Sequence, residues 1–442
     1  MKVLQVCHAI CPGRGSELGF SWNWATRLSR EHDIWVLAHP EFRSEVEAHF
    51  AANPNPRLHF VWLKATAWNP RRGQRGVQWH YLRWLRQAQR VGRALHAEVG
   101  FDLIHHLSLS TISAPPAWWK LGVPFVWGPL GGAQVCPPAL VELFGTHRWK
   151  EWLRPVRLAL LRLYPPFRHA VTRSAVILAT NHETREFLVA AGSRDVPLLW
   201  DSGVEDEGLP PRPVPRLQPT TVRILWASRF QRRKALPLAL EALTLLGAAP
   251  VTLVVAGGGS EARRWHLLVQ KMGLQDRVQF LGDLDPVRMQ EEFRRADIFL
   301  FTSIRDSFGT VVLEAMTHGL PVVALDIHGV AARVPDGAAI KVPAQSRAAT
   351  AAALADALHR LVADPELRYQ LGVAAWDYAA TQMWSRRASE MSDLYRRVHS
   401  ERQAATPSPA SALAPLPVSP VTGSHTPVAA AAGTDAVTHG SR

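Results

Sequence analysis

Acidic residues are absent from Phe60 to Ala97, and lysine is scarce throughout this 442-residue chain, so arginine carries most of its positive charge. Cysteine is confined to Cys7, Cys11 and Cys136, an odd set with no Cys-x-x-Cys pair. That excludes a disulfide framework or a cysteine-built zinc site and fits a reducing compartment. No uninterrupted apolar run approaches the ~20 residues of a membrane-spanning helix. The apolar part of Met1 to Cys7 is also too short for a secretory signal and reads as a first parallel strand. These absences predict a cytoplasmic protein. Hydrophobic residues make up 47% and charged ones 20%, an ordinary globular balance. The length exceeds what one core holds, since cores stop growing near roughly 250 to 300 residues, so two domains are expected.

The formal net charge of +13 points to polyanions, anionic lipid or nucleotide as partners. Arg83, Arg86, Arg90 and Arg93 fall at i, i+3, i+7 and i+10 within the acid-free stretch, which places them on one helical face. A second basic stretch, Arg148 to Arg173, interleaves Trp, Leu and Arg as interfacial helices do. Two readings stand side by side: contact with an anionic membrane, peripheral on the inner face of the plasma membrane, or a solvated arginine face of an arginine-rich protein.

The first half alternates short β-branched or apolar runs with helical patterns: 3–6, 34–37, 58–62, 103–106, 125–127 and 176–180. Asp206 to Thr220 (DEGLPPRPVPRLQPT) is a Pro-rich linker. The alternation then restarts with runs at 223–228, 251–256, 278–281, 298–301, 322–325 and 339–342. Such alternation predicts two α/β domains, each a doubly wound, Rossmann-like parallel sheet, with ligands collecting at the strands' carboxyl ends. The expected boundaries are 1–205, the linker 206–220, 221–381, a helix at 382–402 that returns to the first domain, and a disordered tail at 403–442 too poor in large apolar residues to order.

The most informative run is RDSFGTVVLEAMTHGLPVVA, Arg305 to Ala324. It follows the apolar strand 298–301, opens a helix at Gly309 and closes it at Gly319-Leu320-Pro321. Asp306 then lies in the loop, and Glu314, eight residues on, lies about two turns into the helix. The amides of Phe308, Gly309 and Thr310 are free to meet a phosphate, and the carboxylates suit sugar hydroxyls.

This run resembles the signature of the retaining glycosyltransferases of family 4, in which a loop Glu precedes a helix Glu by eight residues, with Phe-Gly between and Gly-x-Pro-Val-Val after. The resemblance extends in order from residue 1 to about 400. It implies the GT-B fold, two doubly wound Rossmann-like domains facing across a cleft, with the second domain holding a nucleotide-sugar donor. It also implies that Glu314 accepts hydrogen bonds from the donor's ribose and that Asp306 meets hydroxyls of the transferred sugar. Asp in place of the family's Glu is a departure that shortens the reach by about 1.3 Å, which leaves the sugar's identity open.

Arg229, just past the strand 223–228, and Lys234, five residues on, match the family's pair that grips the diphosphate. Gly257 and Gly258 match its glycine turn against the donor, and Gly15, within Gly13-Arg14-Gly15-Ser16-Glu17-Leu18-Gly19, belongs to a second phosphate-facing loop. Gly128-Pro129-Leu130-Gly131-Gly132 reads either as a further nest or as a plain tight turn. Many members carry a histidine at that point; here there is none, and His106, at the end of the preceding strand, is the candidate substitute. Asp283-Leu284-Asp285 spells a metal-binding pattern of another glycosyltransferase fold, but Pro286 follows, so helix capping explains it and no metal or other cofactor is expected. Asn181 and Thr184 read as caps.

The sequence therefore predicts a retaining, metal-independent transferase that takes a sugar from a nucleotide-diphosphate donor and delivers it to a saccharide or lipid-linked acceptor, in cell-surface polysaccharide or glycolipid synthesis. No specific nucleic-acid partner is expected. The alternatives are a nucleotide-sugar epimerase of the same fold, or a non-catalytic anionic-lipid or nucleic-acid binding protein on that scaffold.

Overall fold

The computed structural model describes residues 1–63, 73–215, 219–307 and 309–405. Six parallel strands form the first sheet: β1 (Lys2–Cys7), β2 (Asp33–Ala38), β3 (Leu58–Trp62), β4 (Leu103–Ser108), β5 (Phe125–Leu130) and β6 (Val176–Ala179). Six more form the second: β7 (Val222–Ala227), β8 (Val251–Ala256), β9 (Val278–Gly282), β10 (Ile298–Phe301), β11 (Val322–Leu325) and β12 (Ala339–Val342). The spatial orders are β3-β2-β1-β4-β5-β6 and β12-β11-β10-β7-β8-β9, the same doubly wound order in each domain. Strands β6, β10 and β11 are buried at every position because helices cover both faces of each sheet, which is why they read as continuous apolar runs.

Strand order reverses between β1 and β4 and again between β7 and β10, and loops at those two carboxyl edges face each other across the cleft. One expectation is corrected here. The run Gly128-Pro129-Leu130 is not a nest beyond a strand ending at Trp127, because β5 continues through a register shift to Leu130 and pairs with Ala179.

The chain passes between the domains at paired crossings. The amide of Val204 donates to the carbonyl of Gln382, and that of Trp384 to the carbonyl of Val204, both at 2.8 Å. After this paired crossing the helix Trp384–Ala405 packs on the first domain: Trp384, Met391, Tyr395 and Val398 share a core with Val3, Trp24 and Val36. The tail assigned to 403–442 lies outside the described residues beyond Ala405.

A third connection has no signature in the sequence. Leu140, Val141, Leu143 and Phe144, numerically within the first domain, are buried in one cluster with Trp226, Phe230 and Leu240 of the second. Arg232 clamps this strap by donating to the carbonyl of Phe144 at 2.5 Å and to Thr146 Oγ1 at 3.0 Å.

Candidate active site

The turn after β7 carries Arg229, Arg233 and Lys234, and its shape is set by the loop that follows β10. Thr302 Oγ1 accepts from Trp226 Nε1 at 2.9 Å and donates to the carbonyl of Lys234 at 3.0 Å. The carbonyl of Arg233 accepts from the amide of Ile304 at 2.9 Å and from Ser303 Oγ at 3.2 Å. These bonds bring Lys234 Nζ against Asp306 Oδ2, while Arg233 meets Asp306 Oδ1 at 3.0 Å. Burial works against ionisation of Asp306, but Lys234 and Arg233 overcome it and hold the carboxyl well below its usual range. Burial also lowers the pKa of Lys234, partly offset by Asp306.

These groups line a cavity of about 700 Å³ together with Gly15, Glu17, Asp201, Arg229, Gly257, Ser307, Gly309, Thr310 and Glu314. A second hollow of about 440 Å³, lined by Arg14, Asn23, Glu205, Arg294 and Trp384, meets the first at Gly15, Phe20, Thr310 and Glu314. Gly309 adopts φ +100° as it caps the helix Thr310–Thr317, a conformation open to glycine. A Cβ on Gly257, at φ +123°, would stand 2.0 Å from the carbonyl oxygen of Ser228, so the backbone there lies too close for any side chain. Burial raises the Glu314 carboxyl to about 7, with no offsetting cation among the described residues.

Cations, Asp306, Glu314, Gly257, Gly309 and Thr310 thus converge on the second domain's side, with Gly15 opposite them. Gly258 sits behind this wall, where a Cβ would come 2.4 Å from Asp283 Oδ2. Phe308 lies outside the described residues. Asp285 caps the helix Pro286–Arg295 by accepting from the amide of Arg288 at 2.9 Å, whereas Asp283 faces the cavity. Asn181 caps the helix His182–Ala190 by accepting from the amide of Thr184 and also donates across the cleft to the carbonyl of Ser307 at 3.3 Å.

His106 is the correction among the candidate residues. Its side chain is fully buried, with Nε2 2.9 Å from Tyr81 Oη and Nδ1 accepting from Trp118 Nε1 at 3.1 Å. Both ring nitrogens are satisfied inside the first domain, and burial lowers the pKa to about 3, so the residue is a core histidine rather than a contact in the cleft.

Three site residues escaped the sequence reading. Arg233 stands between two basic neighbours and carries no local signal that sets it apart. Asp201 lines the cavity, and burial, reinforced by Glu17 and Asp306, raises its carboxyl to about 6. Glu17 accepts from the amide of Ser110 at 3.1 Å and is pushed up by burial. A carboxylate in an irregular segment or a first helical turn carries no periodic signal, and only the facing domain makes it part of a site.

Two facing Rossmann-like domains with a cation-lined cleft between them define a GT-B protein. Residues 212–376 match the family of glycosyl transferases group 1, and the second domain belongs to that family. The chain is 33% identical over 196 residues to D-inositol 3-phosphate glycosyltransferase 2 of Catenulispora acidiphila, covering 41% of this chain and 44% of that protein. It is 32% identical over 191 residues to D-inositol 3-phosphate glycosyltransferase of Streptomyces bingchenggensis, covering 40% and 41%. The chain spans less than half the length of these curated relatives. Over the whole fold it resembles sucrose-phosphate synthase from Thermosynechococcus elongatus, with a TM-score of 0.66 at 20% identity over 92% of this chain and 100% of that one. HepE of Anabaena, solved in complex with UDP and glucose, gives a TM-score of 0.57 at 16% identity over 90% and 100%.

Proposed function

We propose that this chain is a retaining glycosyltransferase that moves a sugar from a nucleoside-diphosphate donor to a hydroxyl of a saccharide or lipid-linked acceptor. The observation that carries the proposal is the cluster of Arg229, Arg233 and Lys234 facing Glu314 across one cavity at the β7/β10 switch point. A diphosphate leaving group needs positive charge as its bond to the anomeric carbon breaks, and fixed cations in a shielded cleft supply it without a metal ion. Glu314 stands one helix turn behind Thr310, where an ionised carboxylate can accept from ribose hydroxyls. Asp306 orients Lys234 and offers its remaining acceptor capacity to the sugar.

The acceptor oxygen attacks the anomeric carbon on the face the diphosphate leaves, the carbon–oxygen bond to phosphate breaks, and the hydroxyl proton passes to the departing phosphate oxygen. The carboxylates hold the sugar and do not attack it. A screen of nucleoside-diphosphate sugars, read as glycosylated acceptor formed per diphosphate released, tests the reading. Formation of an isomerised donor with no glycosylated acceptor would favour the epimerase reading instead.

Contact with an anionic membrane is supported by two surfaces of the first domain. Arg83, Arg86, Arg90 and Arg93 are all exposed along the helix Gly73–Val99. The helices Arg148–Trp152 and Arg154–Leu163 expose Trp149, Trp152, Leu153, Val156, Leu160 and Leu163 beside Arg157 and Arg162. No helix among the described residues is long and apolar enough to cross a membrane. An apolar stripe edged by arginine suits the interface of an anionic bilayer and a lipid-linked acceptor presented there.

A further inference from the structure

The carboxyl edge of the first sheet holds three imidazoles that the transfer reaction does not use. His8 follows β1, His39 follows β2, and His80 lies on the helix Gly73–Val99. Their ring centroids are 5.1 Å apart for His8 and His39, 5.8 Å for His8 and His80, and 5.2 Å for His39 and His80. One ring nitrogen from each lies within 4.8 Å of the others. The Nε2 atoms of His8 and His39 are both buried and meet no hydrogen-bond partner among the described residues. Two orphaned buried nitrogens converging with a third imidazole are costly for a folded protein unless something accepts or binds them.

We propose that His8, His39 and His80 form a binding site for a zinc-type divalent ion, which ties the base of the Gly13–Gly19 loop to the ends of β1 and β2 and to the helix Gly73–Val99. Three neutral imidazoles suit zinc, and a three-nitrogen set leaves its fourth tetrahedral position to water. Nitrogens bonded to zinc at ~2.0–2.1 Å lie roughly 3.3 Å apart, so the rings need to close by at most about 1.5 Å, a matter of side-chain rotations. Burial and the two neighbouring imidazoles already favour the neutral, ligating form of His8.

Glu41 supplies the outer contact. His39 Nδ1 now accepts from the amide of Glu41 at 3.2 Å, and a carboxylate oxygen of the same residue stands 3.9 Å away. With Nε2 bound to a metal, the ring proton moves to Nδ1, and Nδ1–H turns from the amide to the carboxylate, the usual support of a ligating histidine.

The test uses untagged full-length protein stripped with a chelator and titrated calorimetrically with Zn²⁺, with Co²⁺ absorption reporting coordination geometry. The expected result is one equivalent bound at micromolar affinity or tighter, weakened at least tenfold in His8→Gln, His39→Gln and His80→Gln. UDP affinity should be unchanged in all three, because the site stands apart from the donor cavity. Glu41→Gln, at an exposed position that leaves the core intact, should weaken binding by roughly 10- to 100-fold. Less than one equivalent bound at micromolar zinc, or parental affinity retained in folded histidine variants, would overturn the proposal.

Discussion

Replacing Glu314 by glutamine should make the protein more stable and a poorer binder, and the size of the first effect can be worked from its environment. Burial raises this carboxyl from 4.5 to about 7. Between those values the folded state holds a proton that the unfolded state has lost, so stability falls as pH rises through that window and the whole penalty is present above pH 7. At 1.36 kcal/mol per tenfold, the penalty is at most about 3 kcal/mol. Glutamine is neutral at every pH and nearly isosteric, so the variant escapes it. The gain should be close to zero at pH 4.5 and reach about 3 kcal/mol at pH 8, or on the order of 5–10 °C for a unit the size of the second domain. Thermal unfolding of both proteins at the two pH values reads this directly. The same variant should bind UDP more weakly by roughly 1 to 3 kcal/mol, since a charge-assisted hydrogen bond to ribose is lost. A variant no more stable than its parent at pH 8, or one with the same advantage at both pH values, would refute the burial argument. Unchanged UDP affinity in a folded variant would remove Glu314 from the site.

Four further outcomes follow from the same geometry. Lys234→Ala and Arg229→Ala should lower turnover far more than they shift the unfolding temperature of the parent, as measured by initial rates alongside melting; equal turnover would dissociate these cations from the leaving group. UDP affinity measured calorimetrically should be the same with EDTA as with magnesium or manganese, and a metal requirement would return Asp283 to consideration as a ligand. If the cation-lined cavity holds a diphosphate, Asp201→Asn should bind UDP more tightly than the parent above pH 6, where the parent's carboxyl ionises, and about equally at pH 5; a gap that does not grow with pH would place Asp201 away from the phosphates. Changing Arg83, Arg86, Arg90 and Arg93 together to Gln should weaken binding to anionic vesicles by about 1 kcal/mol per charge. Vesicle flotation equal to that of the parent would leave the Trp149–Leu163 surface as the contact, tested in turn by Trp149→Ala with Trp152→Ala.

Local signals determined a great deal of this protein. Strands β8, β10 and β11 begin and end where the apolar runs do, because a strand buried on both faces must be apolar at consecutive positions. The Asp306 to Glu314 spacing and the Gly-x-Pro close fixed a loop and helix whose backbone geometry is local, so this wall of the cleft was legible from the chain alone. Tertiary structure decided what depends on partners distant in sequence. His106 lies in β4 toward its carboxyl end, yet Tyr81 and Trp118 close over it and make it core. Asp201 and Glu17 acquire raised carboxyls only because the two domains bury them in one cavity. The strap Leu140–Phe144 has an apolar composition that would suit either domain, and the choice of the second rests on the cleft contacts of Arg232 and its neighbours. His8, His39 and His80 come from three separate elements, and the winding of the sheet alone brings their rings together. Periodicity reports which face of an element is buried; it carries no record of which other element does the burying, and that is where charge, protonation and site membership are set.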